Sequence, residues 1–353
     1  MRVLIVAPEL HRLGGVANHY LGLNDHWDFA VDYSFYGKRK DNTSKFLTAL
    51  LYPYNFLQYI GKLLFKRPDV VIINPSLRTF QLIRDGLYLL FAKLLGVQVV
   101  TFIHGFDLKL SDKLSRHKGL FQFVYNKSSF IYVLFSDFKY RLEKAGIRVP
   151  ILLTTTKVSD ALLENYSFQA RTQVRNLLFV ARIIRDKGIF ETIDTFRILK
   201  TRYPYLKLIV AGDGIELTEV RNYTKVKCLA DVEFLGNVTG KKLAECYAMG
   251  DVYILPTREE GMATSVLEAM AFGLPIISAP VGGIVDFFEN GKDGYLINSY
   301  APTDYAAAVS RLIESPAIMK SMSEHNYHYA KKHFMASSVV VKIQSDIMQY
   351  CNK

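Results

Sequence analysis

Arg258-Glu259-Glu260-Gly261-Met262-Ala263-Thr264-Ser265-Val266-Leu267-Glu268-Ala269-Met270-Ala271-Phe272-Gly273 reads as a loop that turns into a helix. The run Asp251-Val252-Tyr253-Ile254-Leu255 before it has strand character and stops at Pro256-Thr257. Ser265 followed by Glu268 has the S-x-x-E form of a capping box, so the helix is expected to begin near Ser265. Amides without an intrahelical partner, backed by the positive end of the helix dipole, make such a start an anion seat. Gly261 lets a ligand approach the backbone there, and phosphate is the expected anion. Glu260 stands at the mouth of the seat and Glu268 on the first turn. A ligand carrying both phosphate and hydroxyls, such as a sugar nucleotide, suits that combination. Taken alone, Glu268 reads first as a helix cap and Glu260 as a solvated loop charge.

Upstream, Asn176-Leu177-Leu178-Phe179-Val180-Ala181 is a strand, residues 182–188 a loop and residues 189–201 a helix. Arg182 and Lys187 leave that strand end together, and a planar guanidinium with a compact ammonium can grip one diphosphate. Two cations in a loop are otherwise simply solvated. Further strands lie at residues 206–211 and 232–236, each ending in a glycine turn. Gly212-Asp213-Gly214 does not continue as G-x-G-x-x-G, and residues 236–242 fall one residue short of a P-loop and lack its Ser/Thr. Neither a dehydrogenase nor an NTPase is supported.

The first half repeats the alternation. Residues 3–7 form a strand, Leu13-Gly14-Gly15-Val16 a glycine loop and residues 17–23 a helix, where the glycines can serve simply to turn the chain. Strands follow at residues 69–75, 97–103 and 130–136, with helices at 82–95 and 138–145 between and after them. Such alternation argues parallel sheets covered by helices on both faces, an α/β class. His104-Gly105-Phe106-Asp107 begins at a strand's carboxyl end, where ligands gather in open parallel sheets, although a lone histidine is often structural. With 353 residues, half of them hydrophobic, the chain is long enough for two domains.

The motif E-x7-E-A-M-A-x-G-x-P-I-I, carried by Glu260, Glu268, Ala269-Met270-Ala271, Gly273 and Pro275-Ile276-Ile277, resembles the signature of glycosyltransferase family 4, the retaining sugar-nucleotide transferases of GT-B fold. R-x4-K-G at Arg182, Lys187 and Gly188, His104-Gly105, and the loop with Gly14 and Gly15 are similar to the family as well. Residues 279–283 and 290–297 resemble its closing turns. The resemblance implies two Rossmann-like domains facing each other across a cleft. These are residues 1–168 for the acceptor, 169–334 for the donor nucleotide, and a helix in 335–353 packing back on the first domain.

It implies further that Gly14, Gly15, Arg182, Lys187 and the helix start, Gly261, Met262, Ala263, Thr264 and Ser265, hold the diphosphate. Glu268 would hold the ribose, the turn with Val238 would lie by the nucleobase, and Glu260 with His104 would orient the transferred sugar as catalytic residues. The donor is expected to be a UDP-sugar ahead of a GDP-sugar, and the acceptor a glycan or lipid-linked hydroxyl in surface polysaccharide synthesis. No D-x-D triplet occurs, the nearest being Asp231-Val232-Glu233, so no metal or other cofactor is expected. The family's P-N-G-V-D-like segment is missing after Val149-Pro150, and residues 164–175 read as the interdomain linker. A sugar-nucleotide epimerase of the same architecture and a non-catalytic sugar-nucleotide-binding protein are the rival readings.

The net charge of +11 is uneven: residues 1–170 hold 22 Lys and Arg against 13 Asp and Glu, and the remainder 22 against 20. In residues 38–67 aromatic and aliphatic side chains alternate with Lys38-Arg39-Lys40 and Lys66-Arg67 at the ends. That pattern suits an anionic membrane surface, or a core helix with a basic end interrupted by Pro53. Nucleic acid is not expected as a partner, because no zinc-finger spacing or RNP-like motif is present. Three cysteines without metal-ligand spacing, no signal-peptide pattern and no spanning apolar run predict a cytoplasmic protein, peripheral on the inner membrane face if the basic half binds lipid.

Overall fold

The computed structural model describes residues 1–12, 14–37, 45–116 and 119–351, without the side chains of residues 45–50, 106 and 108. Leu13 and the expected basic cluster Lys38-Arg39-Lys40 lie outside the described residues. The chain divides into two compact units, Met1–Thr156 with Val339–Lys353, and Lys157–Ser338. Both are α/β and Rossmann-like.

In the first unit, β1 (Arg2–Ala7), β2 (Ala30–Phe35), β3 (Val70–Ile73), β4 (Ser76–Leu77), β5 (Gln98–Ile103), β6 (Gly105–Phe106), β7 (Phe130–Val133) and β8 (Ile151–Leu153) are all parallel. Six of them form one sheet in the order β2-β1-β3-β5-β7-β8, while β4 pairs with β6. Val3 through Ala7 and all of β3 are buried, as expected for strands covered on both faces. The helices are α1 (Gly15–Leu23), α2 (Lys45–Lys66), α3 (Thr79–Leu94), α4 (Leu108–Arg116), α5 (Leu120–Tyr125) and α6 (Ser136–Lys144). The interruption expected at Pro53 does not occur: α2 runs through it. The proline removes one backbone donor from α2, and Tyr59 and Leu63 further along the helix are buried.

The second unit has β9 (Asn176–Val180), β10 (Lys207–Ala211), β11 (Val232–Gly236), β12 (Val252–Leu255), β13 (Ile276–Ser278) and β14 (Gly294–Leu296), again all parallel, in the order β11-β10-β9-β12-β13-β14. Around them lie α7 (Ile189–Arg202), α8 (Leu217–Val226), α9 (Gly240–Met249), α10 (Thr264–Ala271), α11 (Pro302–Ile313) and α12 (Pro316–His333). Val158, Leu162 and Leu163, which the sequence reading put in the first domain, pack into this unit's core. α13 (Ala336–Cys351) returns the chain to the first unit. There Asp346 Oδ2 accepts the Tyr132 hydroxyl at 2.6 Å, and Gln344 Oε1 accepts the amides of Asp28 and Phe29. No helix among the described residues is long and apolar enough to cross a membrane.

Candidate functional site

The second sheet changes direction at β9, which has β10 on one side and β12 on the other. The loops after β9 and β12 therefore leave in opposite directions and open a crevice between them, the usual ligand position in such sheets. Both candidate motifs are on these loops. Gly188, at φ +74, lies against the chain after β12, where an added Cβ would meet the Pro256 carbonyl oxygen at 2.2 Å. Asp186 O accepts the Arg258 amide at 2.8 Å and the Thr257 hydroxyl at 3.2 Å, fixing one loop on the other.

Across this junction Lys187 Nζ meets Glu260 Oε1 at 2.5 Å and donates to Glu259 O at 3.0 Å, with both charged side chains largely buried. Three N–H donors on the ammonium leave one for a ligand. Gly282 holds the same loop from the other side: at φ +60 a Cβ there would stand 2.2 Å from Glu260 O, and the Gly283 amide donates to Gly261 O at 2.7 Å. Arg182 is exposed at the end of β9 and pairs with no carboxylate among the described residues. Val238 is half-buried in the turn between β11 and α9.

The capping box does not form. α10 begins at Thr264, its N-cap is Ala263, and no side chain caps it. Ser265 Oγ instead accepts the Tyr253 hydroxyl at 2.7 Å, and Glu268 Oε2 accepts the Tyr247 hydroxyl at 2.8 Å. Two buried phenols from β12 and α9 outcompete the local backbone, because each needs an acceptor once removed from water. The N-cap Ala263 thus places no capping side chain on the amides of the helix start. Burial pushes the Glu268 carboxyl up to about 7, against the Tyr247 hydrogen bond and the Lys157 ammonium, which pull it down. Burial lowers the pKa of Lys157 in turn.

In the first unit the change of direction lies between β1 and β3. Gly14, at φ +152, is the N-cap of α1, and Gly15 its first residue. Asn74, just after β3, organises the neighbourhood: Nδ2 donates to Val6 O at 2.9 Å, and Oδ1 accepts the Tyr20 hydroxyl at 2.8 Å. His104 Nε2 lies 3.0 Å from that Oδ1, so Nε2 carries the hydrogen and Nδ1 is left as an acceptor. Burial, then the neighbouring His19, hold the His104 pKa well below the ordinary value, and the ring stacks on Phe102 with centroids 3.6 Å apart. His104 is a neutral imidazole in a fixed tautomer. Sequence reasoning missed Asn74, Tyr20, Lys157 and Tyr247. Asn74-Pro75 at the end of an apolar run was the one signal available.

Residues 166–332 match the family model described as glycosyl transferases group 1. Over 241 residues the chain is 23% identical to an uncharacterized glycosyltransferase of Methanocaldococcus jannaschii, covering 67% of this chain and 65% of that protein. It is 25% identical over 179 residues to the capsular polysaccharide biosynthesis glycosyltransferase CapM of Staphylococcus aureus, covering 47% and 44%. The match to group 1 glycosyl transferases lies in the second unit, where residues 166–332 are similar to that family's model. The aligned stretches span less than two thirds of the length of either relative. The fold is shared with Anabaena HepE, solved with UDP, at a TM-score of 0.73 and 15% identity over 99% of this chain and 100% of that one. HepE has also been solved with UDP-glucose.

Proposed function

We propose that the chain is a retaining glycosyltransferase that moves a hexosyl or N-acetylhexosaminyl group from a UDP-sugar to a hydroxyl of a glycan or lipid-linked acceptor, in surface polysaccharide synthesis. The observation that carries the reading is the Lys187 to Glu260 pair at the start of α10, at the crevice between β9 and β12. In the transfer, the bond from the anomeric carbon to the β-phosphate oxygen breaks and its electron pair leaves with the diphosphate. The acceptor oxygen bonds to the anomeric carbon on the face the diphosphate leaves, and the acceptor's proton passes to the departing phosphate oxygen.

Negative charge develops on that oxygen. Lys187, Arg182, and the amides at the start of α10 meet it there, and fixed donors aimed at developing charge are the strongest device an active site has. Glu260 and His104 Nδ1 accept hydrogen bonds from sugar hydroxyls, and Glu268 accepts from the ribose. The Gly14-Gly15 turn offers the amides of α1 to phosphate. Retention rests on the likeness of residues 260–277 to the family signature. The test is turnover of UDP-sugars followed by NMR: the product's anomeric proton is expected to show the donor's configuration, with no loss of rate in EDTA. Inverted product, or no transfer from any nucleoside diphosphate sugar, would contradict the reading.

A further inference from the structure

The helices α2, α3 and α5 lie side by side on one face of the first sheet. Tyr59 and Leu63, Tyr88 and Leu89, and Val124 and Tyr125 from the three share a single core with Leu4 and Val6. Phe56 and Phe91, with ring centroids 5.5 Å apart, join α2 to α3. The Tyr125 hydroxyl donates to Leu82 O at 2.9 Å, and Gly86 sits close on Val124, which joins α5 to α3. Outward-facing positions on covered helices are ordinarily polar.

Here they are not. Leu57 and Leu64, Ile83 and Leu87, and Leu120 and Phe123 are all exposed, Leu57 by 66% and Phe123 by 63%. Their i,i+7, i,i+4 and i,i+3 spacings keep each pair on one side of its helix. Single exposed apolar residues are normal, but a row across three touching helices marks a docking surface.

Charge selects the partner. Neither α2 nor α5 contains Asp or Glu, and the one acidic residue of α3, Asp85, is buried against Arg84 at 2.8 Å. Lys66, Arg67, Arg78 and Lys127 are exposed around the row, and none pairs with a carboxylate among the described residues. Lys127 lies over the Phe123 ring at 4.5 Å. A second copy would press these cations against their own kind. We propose that this face docks onto an anionic lipid bilayer, with the apolar row entering the interfacial region and the cations meeting lipid phosphates. The proposal is independent of the reaction assigned above.

The test is co-sedimentation of the full chain with vesicles of phosphatidylcholine alone, or with about a third phosphatidylglycerol, at low and high salt. Binding is expected to be about tenfold stronger on the anionic vesicles and to fall with salt. The triple variants Leu57→Gln/Leu87→Gln/Phe123→Gln and Lys66→Gln/Arg67→Gln/Lys127→Gln are each expected to lose about tenfold, with melting temperature and UDP affinity unchanged. Equal partitioning onto neutral and anionic vesicles, or full binding by the apolar variant, would overturn the proposal. So would a solution dimer that the apolar variant dissolves, which would assign the face to a second copy.

Discussion

In the second unit the exposed large apolar side chains Tyr205, Ile215, Val226, Met249, Val285, Tyr300 and Ile318 are scattered singly over helices and loops, whereas in the first unit most of them lie on the three adjacent helices α2, α3 and α5. Charge is divided the other way. Near balance prevails in the second half, where opposite charges are paired at the crevice between β9 and β12, and most of the excess cation lies in the first half. Two sheets of similar construction thus differ in what their surfaces are prepared for: one concentrates fixed charge on strand-end loops, the other spreads apolar and basic groups over helix faces. The lesson is that a Rossmann-like unit leaves its strand ends and its helix backs independently available to function.

The largest expected effect belongs to the charged loops. Lys187→Ala and Glu260→Ala are each expected to lower turnover by roughly a hundredfold to a thousandfold, the range found when a preorganised charge-stabilising group is removed. The exposed pair Leu87→Gln/Phe123→Gln, on the first unit, is expected to leave turnover on a water-soluble acceptor unchanged. Equal losses in both would break the contrast between the units.

Next come the glycines that let loops touch. Gly188→Ala and Gly282→Ala combine a left-handed backbone with a clash against a carbonyl, so each is expected to cost about 1–3 kcal/mol and lower the melting temperature. Gly14→Ala in the first unit also has positive φ but open space around it, and its expected cost is smaller, about 1 kcal/mol. A larger fall in melting temperature for Gly14→Ala would mean that the first loop is the more tightly packed.

The smallest effect is one of pH. Glu268 has a folded pKa of about 7 against an ordinary 4.5, so between those values the folded chain holds a proton that the unfolded chain has lost. Its contribution to stability is complete below that window and is lost as pH rises through about 7. Glu268→Gln is expected to remove that component from the dependence of melting temperature on pH. Identical profiles for the variant and the parent would show that the carboxyl is not held up by burial.

The alternation of apolar runs with helical periods made both sheets legible, and the turns at Gly188 and Gly261 marked the loops that matter. The helix start near Ser265 was expected from a capping box that does not form, although α10 does begin there, at Thr264. What Ser265 and Glu268 do was not legible, since their partners Tyr253 and Tyr247 arrive from other elements and no local rule signals a buried phenol in search of an acceptor. Lys187 and Glu260 were each singled out, yet their pairing depends on β9 and β12 lying side by side, which only the strand order reveals. The apolar backs of α3 and α5 were invisible for a similar reason: an exposed Leu87 or Phe123 looks like a core residue until the buried face is known.

The central claim is that the nucleotide is held by the second unit. Calorimetric titration of UDP into the full chain and into Lys187→Ala, Glu268→Ala and His104→Ala tests it most directly. UDP affinity is expected to fall about tenfold in each of the first two, the size of one lost charge-assisted hydrogen bond, and to remain unchanged in His104→Ala. Unaltered affinity in both Lys187→Ala and Glu268→Ala, with a loss in His104→Ala, would contradict the account.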